Sequence, residues 1–117
     1  MADRLAELQD AVEVFVAERD WAQFHTPKNL AMSVAIEAAE IMEHFQWCTG
    51  EESRVLAPST RAMVADEIAD VLIYLLRLAR ALDVDPIAAA TDKLARNRTK
   101  YPVEKARGRA TKYVDLD

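Results

Sequence analysis

An all-α fold, a bundle of four main helices, is what this sequence predicts, and three observations predict it. The 117 residues include only 2 Gly and 4 Pro, too few for the many turns of an all-β chain. Ala, Leu, Glu and Arg dominate, and all four favour helix. Apolar residues recur at spacings of three and four, the period of a single helix face. Hydrophobic residues at 51% and charged residues at 30% suit one compact domain and exclude a disordered chain. Neither an internal repeat nor a domain boundary is visible, so residues 1–117 read as a single domain.

The first helix is expected from about Asp3 to Arg19, with Leu5, Leu8, Val12, Phe15 and Val16 on one face. A polar, aromatic stretch follows, and Pro27 disfavours helix at Thr26. The second helix runs from about Asn29 to Trp47, its stripe formed by Leu30, Val34, Ile41 and Phe45. Thr49 to Ser53 reads as a loop, with Gly50 as a helix terminator. Pro58-Ser59-Thr60 opens the third helix, with Ser59 or Thr60 as N-cap, and it continues to about Leu82. Its middle, Ile68 to Leu76, is apolar nearly all the way round. Such a helix must be covered on several sides, so a subunit interface is expected there. Asp85-Pro86 starts the fourth helix and Tyr101-Pro102 ends it. Residues 103–117 read as a basic tail of doubtful order.

The formal charge of −5 argues against a nucleic-acid binder, which normally carries a basic face. It leaves room for an anionic ligand held by a local cationic cluster. The single cysteine, Cys48, cannot form an intrachain disulfide, and no zinc-type Cys/His spacing exists. The stretch Met1 to Glu7 is too charged for a signal peptide, and the longest apolar run, Val71 to Leu76, is far too short to span a bilayer. A soluble cytoplasmic protein with no membrane partner is expected.

The chemistry is concentrated in two acidic pairs, Glu37-x-x-Glu40 and Glu67-x-x-Asp70. Residues three apart share a helix face, so each pair projects together. Ile36, Ala38, Ala39 and Ile41 surround the first pair; Ile68, Ala69, Val71 and Leu72 surround the second. Carboxylates against an apolar core are costly unless paired or bound to a cation. Four of them on facing helices would repel, and a divalent cation is the natural remedy. An all-oxygen donor set, with no thiol and no imidazole at matching spacing, suits Mg²⁺ or Mn²⁺ rather than Zn²⁺. The plainer reading is a solvated acidic face, common on Ala-rich helices. A ferritin-like di-iron site needs Glu-x-x-His pairs, and His44 stands at the wrong spacing for one.

The fourth helix carries Lys93, Arg96, Asn97, Arg98 and Lys100, followed by Tyr101. Such a face can grip phosphate oxygens, and it is also what the C-terminus of any helix favours. Trp21, Phe24 and His25 cluster before the second helix, and Phe45 and Trp47 after it. A Trp there can stack on a nucleobase or cap the core. Tyr74 is one turn beyond Asp70 and should lie beside the carboxylates. Acids for metal, cations for phosphate and aromatics for a base together fit a nucleoside triphosphate with Mg²⁺.

Several stretches in order make the chain similar to a known family. They are Glu18-Arg19-Asp20-Trp21-x-Gln23-Phe24-His25-x-Pro27-x-Asn29-Leu30, Glu37-x-x-Glu40 and Phe45-Gln46-Trp47. They continue with Glu67-x-x-Asp70-Val71-Leu72-Ile73-Tyr74-Leu75, Asn97-Arg98-x-x-Tyr101-Pro102 and Lys112-Tyr113. The sequence resembles the all-α nucleoside triphosphate pyrophosphohydrolases related to MazG, in particular the dCTP pyrophosphatase branch. The resemblance implies hydrolysis of a nucleoside triphosphate to the monophosphate and pyrophosphate, in nucleotide-pool sanitation. It implies that Glu37, Glu40, Glu67 and Asp70 hold Mg²⁺. Trp21, Trp47 and Tyr74 would shape the base and sugar pocket, with His25 near its entrance. Lys93, Asn97, Arg98 and Tyr101 would contact phosphates or close the pocket. A homodimer or homotetramer with the site between subunits is implied as well.

Two positions depart from the pattern. Ile36 stands where many MazG relatives have a first glutamate, a glutamate that the dCTP pyrophosphatase branch also lacks. Val12 stands where that branch has a His lining the base pocket, which leaves cytosine less firmly implied than the nucleotide class. A substrate such as dUTP or a damaged dNTP, and a non-catalytic helical module that binds nucleotides or a protein, are the competing expectations.

Overall fold

The computed structural model describes residues 3–117, and among these it contains helices and turns but no strand. The helices are α1 Arg4–Glu18, α2 Pro27–Phe45, α3 Gly50–Ser53, α4 Pro58–Ala81, α5 Pro86–Lys100 and α6 Val103–Ala106. Short 3₁₀ turns occupy Ala22–Phe24 and Tyr113–Asp115. Met1 and Ala2, part of the stretch read as too charged for a signal peptide, lie outside the described residues.

Local chemistry sets each start. The Asp3 carboxylate accepts the N–H groups of Leu5 and Ala6, both at 3.1 Å, and so caps α1. Asp85 caps α5 in the same way through Ile87 and Ala88. α2 begins two residues before the expected Asn29. Thr26 Oγ1 accepts the Asn29 N–H at 3.2 Å, and Pro27 takes the first helical position. The proline that stops the first segment therefore opens the second, because its fixed φ suits a first turn and its missing N–H is not needed there.

Two expected boundaries are corrected. Thr49 to Ser53 is a helical turn rather than a loop. Thr49 Oγ1 accepts the Glu52 N–H at 3.1 Å, and the Glu52 carboxylate accepts the Thr49 N–H at 3.0 Å. This capping box places Gly50 at the start of α3, where it terminates nothing. The N-cap of α4 is Ala57, not Ser59 or Thr60. Pro58 opens the helix, no side chain caps it, and the Ala57 carbonyl receives the Arg61 N–H at 2.9 Å.

α4 is the spine of the first compact unit, which ends at Asp83, and α1 and α2 both pack against it. Its core is thin: Val12 and Val16 from α1, Leu30 from α2, and Val64 and Leu76 from α4. Gln9 Nε2 donates to the Leu76 carbonyl at 3.1 Å, and Arg80 pairs with Asp10 at 2.9 Å, joining α1 to α4. Much of the apolar middle of α4 stays open, with Ile68 at 55% and Leu75 at 45% exposure. The second unit is Val84–Asp117. Within it the tail is folded onto the end of α5: the Tyr113 ring meets Tyr101 edge-on at 5.9 Å, and the Lys100 ammonium lies 4.7 Å from the Tyr113 ring centre.

Candidate active site

The two acidic pairs face each other across α2 and α4. Carboxylate oxygens of Glu37, Glu67 and Asp70 all lie within 4.8 Å of one another. Glu40 is outside that set of three, and its effect on the cluster is to raise the carboxyls of Glu37 and Glu67. Going from Glu37 to His44 along α2, the partners step back from Asp70 to Glu67 along α4, so the two helices run antiparallel. That alignment is what brings two local i, i+3 patterns together as one cluster.

The cluster carries an electrostatic cost. Burial, the Glu40 hydrogen bond and the charges of Glu40, Asp70 and Glu67 push the Glu37 carboxyl up to about 7. Glu67 is raised too, first by its hydrogen bond to Glu40 and then by burial, with His44 opposing. Glu37 Oε2 is buried and has no hydrogen-bond partner. A buried acceptor without a donor, ringed by like charges, is relieved by a cation. The oxygen-only acids therefore fit a hard divalent ion.

His44 is a residue that sequence spacing missed. Its Nε2 lies 3.7 Å from Glu67 Oε1. No Glu-x-x-His pattern marks it, because the contact is made across helices. Only the antiparallel register of α2 against α4 could have pointed to it.

One turn along α4 from Asp70, a cavity of about 80 Å³ opens between α1 and α4. Phe15, Trp21, His25 and Tyr74 give it aromatic walls, Val12 an apolar one, and Arg77 a charged one. The end of α1 explains how Trp21 gets there. The Asp20 N–H bonds the Ala17 carbonyl at 3.1 Å, and the Trp21 N–H bonds the Val16 carbonyl at 3.1 Å. Asp20 itself adopts the left-handed conformation, φ 53°. This is a Schellman closure with Asp in place of the usual Gly. It turns the chain so that Trp21 meets Phe15 edge-on at 5.6 Å. Gln23 Nε2 donates to the Asp20 carbonyl at 3.0 Å, and Asn29 Nδ2 donates to the Phe24 carbonyl at 3.0 Å. These bonds hold the segment that carries His25, whose ring lies 6.4 Å from that of Trp21. Burial and the nearby Arg77 charge lower the His25 pKa, with the Glu13 carboxylate opposing.

Trp21, His25 and Tyr74 are thus gathered in one cavity, as Glu37, Glu67 and Asp70 are in one cluster to which Glu40 adds its charge. Trp47 is in neither. It stands just past the end of α2 with 89% of its surface exposed. Lys93, Asn97, Arg98 and Tyr101 all lie in the second unit, the first three on α5 and Tyr101 as its C-cap.

Clustered carboxylates on antiparallel helices, half-buried at Glu37 and Glu67 but exposed at Asp70 rather than set wholly against the core, lie beside an aromatic-walled cavity and suit a divalent ion and a flat organic anion. The chain belongs to the MazG-like family, whose model matches residues 32–116. It is 46% identical over 104 residues to dCTP pyrophosphatase 1 of Mus musculus and 43% identical over 104 residues to that of Homo sapiens. Each match takes in 87% of this chain and 61% of the relative, so the chain spans about three fifths of the length of these curated relatives. The fold is also similar to the crystal structure of a pyrophosphatase from Archaeoglobus fulgidus, with a TM-score of 0.82 and 42% identity. That match covers 87% of this chain and 95% of the other. No helix among the described residues is long and apolar enough to cross a membrane.

Proposed function

We propose that this chain is a Mg²⁺-dependent nucleoside triphosphate pyrophosphohydrolase acting on dCTP or a related or modified dNTP. The observation that carries the reading is the buried, partnerless Glu37 oxygen in a cluster with Glu67 and Asp70, to which Glu40 adds its charge. The similarity to dCTP pyrophosphatase 1 proteins supports the reaction class.

Glu37, Glu40, Glu67 and Asp70 would hold the metal, with Mn²⁺ as a substitute. A bound Mg²⁺ supplies charge neutralisation at the triphosphate and a lowered pKa for an attacking water. The protein's own part is positioning and electrostatics, as in other phosphoryl chemistry. Water attacks the α-phosphorus, the bond to the β-phosphate bridging oxygen breaks, and pyrophosphate leaves with the nucleoside monophosphate as second product. One of the four carboxylates, Glu40 or another of Glu37, Glu67 and Asp70, would accept the proton that the water loses. Trp21, His25 and Tyr74 take the base and sugar in the cavity beside the acids. Lys93, Asn97, Arg98 and Tyr101 bind the phosphates or close the pocket. The single domain acts as a homodimer or homotetramer. Exposed apolar residues on α4 and an open groove of about 590 Å³ along Leu56, Pro58, Val64 and Ile68 support a covering second copy. That copy would also cover Trp47 and let it contribute to base binding. The expected role is nucleotide-pool sanitation in the cytoplasm, with no nucleic-acid or membrane partner.

Product analysis over the dNTPs with Mg²⁺ tests the reading. Equal amounts of pyrophosphate and nucleoside monophosphate are expected, and dependence on added metal. Orthophosphate release would mean cleavage at a different phosphate, and no turnover of any dNTP would leave a binding module instead.

A further inference from the structure

The cavity wall contains a charged side chain that the reaction does not use. Arg77 is 8% exposed, one turn before the C-terminal end of α4. Its Nη1 donates to Glu13 Oε1 at 3.3 Å, and its Nε has no partner. The Glu13 carboxylate on α1 thereby offsets the charge and fixes the guanidinium plane. Buried N–H groups without acceptors are rare, because each forfeits its hydrogen bond to water. His25 Nδ1, in the same wall, is also buried without a partner. Two orphaned nitrogens in an otherwise apolar, aromatic cavity mark the polar groups that orient a ligand.

We propose that Arg77 is the specificity-determining residue of the base pocket, donating through its side edge to the O2 and N3 acceptors of cytosine. The proposal rests on the pyrophosphohydrolase reading and goes beyond it by naming the residue and the base edge. Three observations carry it. The cavity starts one helical turn from Asp70, about 5.4 Å along α4, so a sugar can bridge from the metal-bound phosphates to it. Its walls of Phe15, Trp21 and Tyr74 offer aromatic faces to a planar ring. Arginine only donates, and Nε–H lies beside an Nη2–H on the edge away from the Nη1 that Glu13 holds. Cytosine presents two adjacent acceptors to that fork. Uracil and thymine interrupt theirs with an N3–H donor that opposes it.

The test is the kinetics of the full chain with dCTP and dUTP in Mg²⁺, comparing wild type, Arg77→Met and Arg77→Lys. Arg77→Met should raise KM for dCTP about tenfold or more, the worth of one bidentate pair, while kcat changes little. The dCTP-to-dUTP ratio of kcat/KM should fall towards unity. Arg77→Lys keeps the charge but not the planar fork, so it should lose most of the discrimination and still fold, as thermal melting will show. A dCTP-to-dUTP ratio unchanged in both variants would overturn the proposal and leave Arg77 as a structural ion pair whose Nε meets water. If the wild type cleaves no dNTP, the pyrophosphohydrolase reading fails separately. Calorimetric binding of dCMP against dUMP then decides the inference: a dCMP preference lost in Arg77→Lys supports it, and equal or absent binding overturns it.

Discussion

Burial and the neighbouring acids favour the protonated form of Glu37 in the folded, metal-free protein over an unfolded chain. Its carboxyl is pushed from 4.5 to about 7, so between these values the native state binds more protons than the unfolded one. Metal-free stability therefore falls as pH rises through this window and levels off above it. Glu37→Gln removes the effect. In chelator, the Tm advantage of the variant over wild type should grow from pH 4.5 to pH 7, and Mg²⁺ should abolish it for the wild type. A pH-independent difference would show that the cluster imposes no such cost. The companion expectation concerns chemistry. Glu40→Gln and Asp70→Asn should each lower pyrophosphate release by roughly 10²–10⁴-fold with the melting temperature retained. Near-normal turnover in either would remove that residue from the site.

α1 ends in a way that ties stability to the cavity. Asp20 sits at φ 53°, and the bonds around it deliver Trp21 to Phe15. A β-branched residue tolerates this conformation poorly. Asp20→Val should cost about 1–2 kcal/mol, seen in denaturant melts, and move Trp21 out of the aromatic wall. An unchanged stability would mean that the closure is unimportant. In the packed interior, Leu30→Ala should cost roughly 2–5 kcal/mol, since Leu30 is 1% exposed between α2 and its neighbours.

These elements also show what a sequence can and cannot convey. The sequence placed α1 and α5 almost to the residue, because the apolar stripe of α1 and the Asp85-Pro86 start of α5 are local signals. It misplaced the starts of α2 and α4, where a proline occupies the first helical position, behind a Thr26 cap in α2 and with no capping side chain in α4. The acidic quartet was legible because each half is an i, i+3 pair on one helix. The His44–Glu67 contact and the Arg77–Glu13 pair were not, since both join residues on different helices with no spacing between them to read. The motif around Trp21 was recognisable as a string of letters, but its reason is geometric. Asp20 closes a helix, Gln23 and Asn29 bond backbone carbonyls, and Trp21 and His25 are what the turn presents.

As a whole molecule, the first unit buries few of its apolar side chains for a chain that is 51% hydrophobic. Large apolar surfaces of this kind mark interfaces. Sedimentation at micromolar concentration should give a dimer or tetramer, and charged substitutions at Ile68 and Leu75 should shift it towards monomer. A wild type that sediments as a monomer would contradict the covering copy. The central claim, however, is that four acids converge because a divalent ion belongs among them. The most direct measurement is a Mn²⁺ titration followed by electron paramagnetic resonance, with Mg²⁺ as competitor, on the wild type and Asp70→Asn. Saturable Mn²⁺ binding that Mg²⁺ displaces, weakened at least about tenfold in the variant, is the expected result. Equal binding by both proteins, or none by either, would contradict it.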